Sequence, residues 1–232
     1  DLDGFADAGT GLPILIRTLL AKRGIVNTES ARNYLATPKS LTDPTLMPNI
    51  SKAVSRLIQA CENNEKVGIF GDFDVDGITA TTLLTEGLGN LGIQPIPYIP
   101  DRFSEGYGPN IEAIKKLADQ DVTLLITADC GTSSVNEIDQ ANRLGMEVII
   151  IDHHSIPTVL PPAYAIVNPK LNGSYGSEPA AVGVAYKVLT VLYQKMKRPY
   201  AHIEHQPLVA LGTICDLVPL VGENRDFVRM GL

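Results

Sequence analysis

The chain has 232 residues, a formal net charge of −7 and 44% hydrophobic residues. This composition excludes an intrinsically disordered chain, and the negative charge excludes a uniformly basic nucleic-acid-binding domain. A local metal site could still reverse the sign of the electrostatic field where an anionic substrate binds.

Cysteine spacing and hydropathy favour a reducing compartment. Cys61, Cys130 and Cys215 lie far apart and form no CxxC pair, so we expect neither a disulfide framework nor a cysteine zinc site. No apolar run approaches the roughly 20 residues that span a bilayer, and the acidic first residues do not resemble a signal peptide. We therefore expect a cytoplasmic protein.

Residues 1–65 are predicted to form a helical segment that packs on the core of a larger domain. Pro13 is followed by leucines and an isoleucine at helical spacing. Thr28 could cap a short helix through Leu35, and Asn49 could cap the next helix. Three prolines in residues 37–48 predict an extended connector.

From residue 66 onward, short apolar strands alternate with helices. Strands are predicted at 67–70, 95–99, 122–127, 148–152 and 165–167, and helices at 78–91, 110–119, 134–144, 180–197 and 206–214. This alternation predicts an α/β fold, a parallel sheet covered by helices, with an N-terminal helical segment before it. In such sheets ligands bind beyond the carboxyl ends of the strands.

Three carboxylates, Asp72, Asp74 and Asp76, follow the first predicted strand within five residues. Their mutual repulsion favours a bound divalent cation. A solvated acidic turn is the alternative. A calcium EF-hand does not fit, because Leu83 stands at the twelfth loop position, where a bidentate Glu is required.

Further candidate ligands follow later strands. Asp129 follows the third strand, and His153 and His154 follow the fourth. Neutral imidazoles together with carboxylates form a mixed nitrogen and oxygen metal site. Two ordinary surface histidines are the alternative. Asp216 follows an apolar helix and is either a late ligand or a chance residue at a helix end.

The second predicted strand leads into the loop 100–108. Arg102 could hold a phosphate through its fork of donors, and Tyr107 could stack on a nucleobase. A glycine turn with surface polar residues is the alternative.

The motifs GDFDVDG, PDRFSEGYG, TADCGTSS, DHH, AVGVAYK and ALGTICDLVPL stand in this order along the chain. In this order they resemble the DHH phosphoesterase superfamily, and within it the bacterial 5′-to-3′ exonucleases specific for single-stranded DNA. The resemblance implies a two-metal phosphoesterase, a hydrolase that acts on single-stranded DNA in recombination and repair. It also implies two Mn²⁺ ions, with Mg²⁺ as a substitute.

Site residues are carried over from the resemblance position by position. It implies that Asp76, Asp129, His154 and Arg102 are catalytic, and that Arg102, Tyr107, Ser133 and Ser134 contact the substrate. It implies as metal ligands Asp72, Asp74, Asp76, Asp129, His153, His154 and Asp216, with His154 beside the scissile phosphate. Phe70 departs from the pattern, because many superfamily members have a histidine there, and Asp72 or a water could replace it. Asp152 is expected to orient a histidine.

The resemblance also implies a domain organisation and partners. Residues 66–232 would form the DHH domain, and the DHH-associated and oligonucleotide-binding domains are expected to be absent. Expected partners are single-stranded DNA, a single-strand-binding protein and a helicase, with the chain acting as a monomer. Two alternatives stay open: a phosphodiesterase for cyclic dinucleotides or short oligonucleotides, and a non-catalytic replication scaffold.

Overall fold

The computed structural model describes residues 11–36, 41–173, 175–200 and 202–232. The chain divides into two compact units between Lys39 and Ser40. In the first unit, α1 (Ile14–Ala21) and α2 (Thr28–Leu35) share a small core around Leu20 and Ala31. The domain boundary expected at residue 65 stays a prediction.

Local details of the N-terminal region differ from the sequence predictions. Asn27, rather than Thr28, caps α2, because its side chain accepts a hydrogen bond of 2.8 Å from the backbone N–H of Ser30. Asn49 occupies an N-cap position but makes no capping bond, and it donates instead to the carbonyl of Ile166. The predicted connector contains a short 3₁₀-helix at Pro44–Leu46, and its residues 37–40 lie outside the described residues.

The second unit contains the predicted alternation of strands and helices. Its strands are β1 (Val67–Gly71), β2 (Ile96–Tyr98), β3 (Leu124–Ala128), β4 (Glu147–Ile151) and β5 (Ala165–Val167). Its helices are α3 (Ile50–Asn63), α4 (Val75–Gly89), α5 (Ile111–Ala118), α6 (Val135–Arg143), α7 (Ala181–Lys195), α8 (His202–Cys215) and α9 (Gly222–Gly231). Only α9 is missing from the sequence predictions, because the apolar residues of its GENRDFVRMG sequence are few: Phe227, Val228 and Met230.

The five strands form one parallel sheet in the order β2-β1-β3-β4-β5. Side chains alternate between its faces, so that Ile69 joins one core and Phe70 the other. Buried residues of α3, α4 and α7 belong to the first core, and those of α5 and α6 belong to the second. The α/β fold is therefore confirmed.

Helix α3 belongs to the same core as the sheet. Leu57 on its inner face is fully buried. The buried guanidinium of Arg56 forms an ion pair of 2.6 Å with Glu65 and a second ion pair with Glu147 at the start of β4. These contacts attach α3 to the sheet.

None of the helices in the described part of the chain combines the length and apolar character that crossing a bilayer demands.

Candidate metal centre

The sheet order reverses between β1 and β3, which creates a crevice at their carboxyl ends. Gly71 pairs with Ala128, Ala128 with Ile151, and Ile151 with Val167. The residues that directly follow these four positions form one row across the sheet: Asp72, Asp129, Asp152 and Asn168. Strand register therefore brings together polar residues far apart in the sequence.

The turn from β1 into α4 presents the first carboxylates. Asp74 caps α4, because its Oδ1 accepts a hydrogen bond of 2.9 Å from the N–H of Gly77. Asp72 is buried, and its Oδ1 accepts a hydrogen bond from the N–H of Phe73. A Cβ at Gly77 would lie 2.5 Å from the carbonyl oxygen of Asp72. Only glycine permits this close turn.

Asp76 lies in the first turn of α4 and is buried. Its Oδ2 accepts a hydrogen bond of 2.6 Å from the N–H of Ala181, and its Oδ1 accepts one of 2.9 Å from Val182. The carboxylate thus caps the N-terminus of α7, where the helix dipole favours negative charge. Burial nevertheless raises the pKa of Asp76, and the nearby charge of Asp216 raises it further.

Asp129 follows β3 in a left-handed backbone conformation, with φ of 62°, which an aspartate tolerates better than most residues. Both of its carboxylate oxygens are buried and find no hydrogen-bond partner in the described part of the chain. Burial raises the pKa of Asp129, as do the charges of Asp76 and Asp74. Asp129 is therefore a buried carboxylate that no hydrogen-bond donor in the described part of the chain stabilises.

His153 points its Nε2 atom at three carboxylates. The distances from Nε2 are 3.2 Å to Asp129, 3.6 Å to Asp216 and 3.8 Å to Asp76. Burial lowers the pKa of His153 to about 4, and the charge of His154 adds to this effect. The imidazole is therefore neutral near pH 7 and free to bind a cation.

Asp216 follows the end of α8 and completes this group. Its side chain is 16% exposed, and its Oδ2 has no hydrogen-bond partner among the described residues. Burial and the nearby charge of Asp74 together raise the pKa of Asp216 to about 6. Asp216 therefore lies beside His153, and its role as a late ligand stays a prediction.

These atoms fit divalent cations. Three sets of side chains each bring one ligand atom apiece within 4.8 Å of one another: Asp129, His153 and His154; Asp76, His153 and Asp216; Asp72, Asp74 and Asp129. Buried carboxylates and an imidazole nitrogen without hydrogen-bond partners are costly unless a cation compensates them. Their mixed oxygen and nitrogen chemistry suits Mn²⁺, and the carboxylates also suit Mg²⁺.

Asp152 orients His154, as the sequence predicts for this position. Its Oδ1 accepts hydrogen bonds from the backbone N–H groups of His153 and His154 and from Nδ1 of His154 at 2.7 Å. Burial by itself would raise the pKa of Asp152. The hydrogen bonds and the nearby His154 charge outweigh burial and hold this pKa below its usual range. The same bond to Asp152 raises the pKa of His154.

The predicted substrate-binding residues differ in exposure and in their contacts with the candidate metal centre. The Tyr107 hydroxyl lies 3.3 Å from ring nitrogens of His154, so this residue contacts the centre directly. Arg102 is exposed and stacks on Phe73 at 5.1 Å. Ser133 and Ser134 lie at the N-terminus of α6.

Sequence reasoning missed residues around His154. Asn168, directly after β5, donates to the carbonyl of His154 at 3.0 Å. The backbone N–H of Thr132 donates to Asp152. The polar residue at the end of β5 was the available signal, since Asp72, Asp129 and Asp152 follow their strands in the same way. Phe70 is buried and stacks on Tyr98, so it replaces the expected histidine with a core residue.

Comparisons with known proteins agree with this arrangement. Residues 66–213 match the family described as DHH family, N-terminal domain. The chain is 42% identical over 221 residues to the single-stranded-DNA-specific exonuclease RecJ of Bacillus subtilis, a match that covers 94% of this chain and 28% of the relative.

Two solved structures are also similar. Exonuclease RecJ bound to manganese superposes with a TM-score of 0.77 at 33% identity, covering 84% of this chain and 49% of that one. RecJ from Thermus thermophilus in complex with Mn²⁺ gives a TM-score of 0.74 at 29% identity, covering 93% of this chain and 30% of that one. The present chain thus spans less than half the length of these relatives.

Proposed function

The chain belongs to the DHH family, and on that premise we propose that its crevice hydrolyses phosphodiester bonds with the aid of divalent metal ions. One observation carries this proposal. The atoms of Asp129, His153 and Asp216 that point into the crevice are buried and without hydrogen-bond partners among the described residues. The manganese-bound relatives support the same interpretation.

The residues of the crevice have two proposed roles, metal binding and neutralisation of charge on the substrate phosphate. Asp72, Asp74, Asp76, Asp129, His153 and Asp216 would hold the ions. When bound, two ions would supply a nucleophile at neutral pH and stabilise charge on the attacking and leaving oxygens. His154 is 47% exposed at the crevice mouth. Its bond to Asp152 favours the imidazolium, which would neutralise a phosphoryl oxygen, and exposed Arg102 would do the same.

We propose single-stranded DNA as the substrate, with digestion from the 5′ end in recombination and repair. The similarity to RecJ supports this choice. We further propose Mn²⁺ as the preferred ion and Mg²⁺ as its substitute, in line with the ligand chemistry. Residues 66–232 would form the catalytic domain, and residues 1–65 the helical segment that precedes it.

A single-strand substrate requires other proteins to expose and protect the strand. We therefore propose a helicase and a single-strand-binding protein as partners, with the chain acting as a monomer. We also propose a cytoplasmic location, because the three cysteines are free thiols, as expected in a reducing compartment.

The proposal is tested with 5′-phosphorylated single-stranded DNA, Mn²⁺ and the whole chain, and with Asp129→Asn. Asparagine keeps the left-handed backbone at this position but removes the charge. We expect Mn²⁺-dependent release of nucleotides, lost by at least a hundredfold in the variant, because each metal ligand acts on the transition state. The control is Asp139→Asn, which changes a carboxylate that is 44% exposed and paired with Arg143 on α6, and this variant should cleave like the parent.

A comparison of substrates distinguishes the proposed exonuclease from the phosphodiesterase and the non-catalytic scaffold. Duplex DNA, single-stranded RNA, dinucleotides and a cyclic dinucleotide are compared under the same conditions. Preference for the dinucleotides would replace the exonuclease proposal with a small-substrate phosphodiesterase. Absence of hydrolysis on every substrate, with Mn²⁺ bound, would favour the non-catalytic scaffold.

A further inference from the structure

Asn168 is the fourth member of the polar row at the carboxyl ends of the strands. It follows Val167, which pairs with Ile151 in β4. The other three members, Asp72, Asp129 and Asp152, contribute to the metal centre or orient its histidines. Asn168 is fully buried beside them, and it has no part in the function proposed above.

Three hydrogen bonds fix the orientation of the Asn168 side chain. Its Nδ2 donates to the backbone carbonyl of His154 at 3.0 Å and to the Thr132 hydroxyl at 3.3 Å. Its Oδ1 accepts from the backbone N–H of Lys170 at 2.9 Å. Both amide hydrogens and the carbonyl oxygen therefore have partners, and a flipped amide would lose the bonds to the His154 carbonyl and the Lys170 N–H.

The same contacts join three loops of the crevice. Thr132 lies after β3, His154 after β4 and Asn168 after β5. The backbone N–H of Thr132 also donates to Asp152 at 3.0 Å, and Asp152 holds the His154 ring. His154 is thus held at its ring by Asp152 and at its carbonyl by Asn168.

We infer that Asn168 is a positioning residue that sets the place of the His154 imidazole against the substrate phosphate. The inference rests on the proposed function, because it assigns the task of Asn168 within that reaction. The side chain of His154 is 47% exposed at the mouth of the crevice, so packing restrains its ring weakly. The Asn168 donor at its carbonyl adds a backbone restraint to the bonds that Asp152 makes with its N–H and its ring.

Two substitutions at Asn168 test the inference. Asn168→Ala removes all three hydrogen bonds. Asn168→Asp keeps the shape and the bond to Lys170, but it places an oxygen against the His154 carbonyl, which provides a folded variant if the alanine variant is unstable. We expect kcat for single-stranded DNA to fall about tenfold to a hundredfold in both, because small misplacements of catalytic groups have effects of this size. KM and Mn²⁺ affinity should change less than about threefold, since Asp129, His153 and Asp216 stay in place.

The control is Asn142→Asp. Asn142 also donates its side-chain amide to a backbone carbonyl, that of Pro162 at 2.7 Å, but on an exposed surface. This variant should retain the kcat of the parent. A loss of kcat equal to that of Asn168→Asp would overturn the inference, because it would show a general cost of the substitution.

Nuclear magnetic resonance of ¹⁵N-labelled histidine distinguishes positioning of His154 from a purely structural role of Asn168. A purely structural role would leave the His154 ring signals unchanged. The sequence has only four histidines, so their ring signals can be assigned in the metal-free chain. We expect the His154 signals to shift in both Asn168 variants while those of His202 and His205 stay in place. Unchanged His154 signals, or unchanged kcat, would overturn the positioning role. Failure of the parent to hydrolyse DNA would instead overturn the proposed function, and the His154 signals would still decide the role of Asn168.

Discussion

Asp76 accepts a hydrogen bond of 2.6 Å from the backbone N–H of Ala181, the first residue of α7. The N-cap residue of that helix, Ala180, has no side-chain group that could cap it. The Asp76 carboxylate therefore belongs to the candidate metal centre and also caps the N-terminus of α7. Metal binding at this side chain would therefore be coupled to helix packing.

Asp76→Ala should destabilise the metal-free chain. The substitution relieves repulsion among carboxylates, but it leaves the buried N–H groups of Ala181 and Val182 without an acceptor. Each such loss costs about 1–3 kcal/mol, so we expect the free energy of unfolding to fall by about 2–4 kcal/mol. Urea denaturation in the presence of a chelator measures this change, and unchanged or increased stability would show that repulsion dominates.

Asp216→Asn should have the opposite effect. Its Oδ2 is buried without a hydrogen-bond partner in the described part of the chain, and burial raises the pKa of Asp216 to about 6. Above that pH the folded chain holds an unfavourable charge that asparagine lacks. We expect a gain of about 1 kcal/mol in the metal-free free energy of unfolding at pH 8, together with weaker Mn²⁺ binding. A loss of stability in the same urea assay would contradict this account.

The thermal midpoint of the metal-free chain should fall as pH rises from about 6.5 to 8.5. Burial raises the pKa of Asp76 to about 7 and also raises that of Asp129. The folded chain therefore binds more protons than the unfolded chain, and stability is lost as pH rises through the folded pKa values. His153 has the opposite sign, but with a folded pKa of about 4 it acts only below its unfolded pKa of about 6.5.

Calorimetry in a chelator at three pH values checks this dependence, and saturating Mg²⁺ is the matched condition. A bound cation keeps the carboxylates ionised, so the decline should shrink when Mg²⁺ is present. A midpoint that rises across this range in the metal-free chain would show that the carboxylates are already ionised without penalty.

Gly212→Ala should impair both stability and catalysis. A Cβ at this position in α8 would lie 2.4 Å from Oγ1 of Thr79, 2.7 Å from Val182 and 3.0 Å from Oδ1 of Asp76. The helices must separate to admit it, which moves Asp76 away from its partners. We expect overpacking to cost about 1–3 kcal/mol and Mn²⁺-dependent hydrolysis to fall at least tenfold.

Gly89→Ala is the matched control, since a Cβ there meets nothing within 4 Å. Alanine favours a helix over glycine by up to about 1 kcal/mol, so this variant should be as stable as the parent or more so. Equal behaviour of the two variants would show that the α8 contact is not tight.

The sequence predicts the sheet and most of the centre because both follow from local patterns. Apolar strands end at Asp72, Asp129 and Asp152, and parallel register then places these residues side by side. The dual role of Asp76 is not accessible in this way, because its partners Ala181 and Val182 lie more than 100 positions away. Nothing in their own sequence indicates an external cap.

Other differences have equally physical origins. Helix α9 is polar on most of its surface and is fixed by long-range contacts, such as the ion pair of 2.6 Å between Lys187 and Glu223. An ordinary imidazole, with a pKa of about 6.5, would make His153 the group whose protonation limits metal binding. Burial lowers the pKa of His153 to about 4, so the carboxylates Asp76 and Asp216 take over that role at higher pH.

The central claim is that this crevice holds divalent cations between Asp76, Asp129, His153 and Asp216. Anomalous scattering from crystals of the chain soaked in Mn²⁺ tests it most directly. We predict manganese peaks within bonding distance of His153 Nε2 and the Asp129 carboxylate, and no such peaks in crystals of Asp129→Asn prepared alongside. Manganese bound only at other carboxylates, or equal peaks in the variant, would contradict the account.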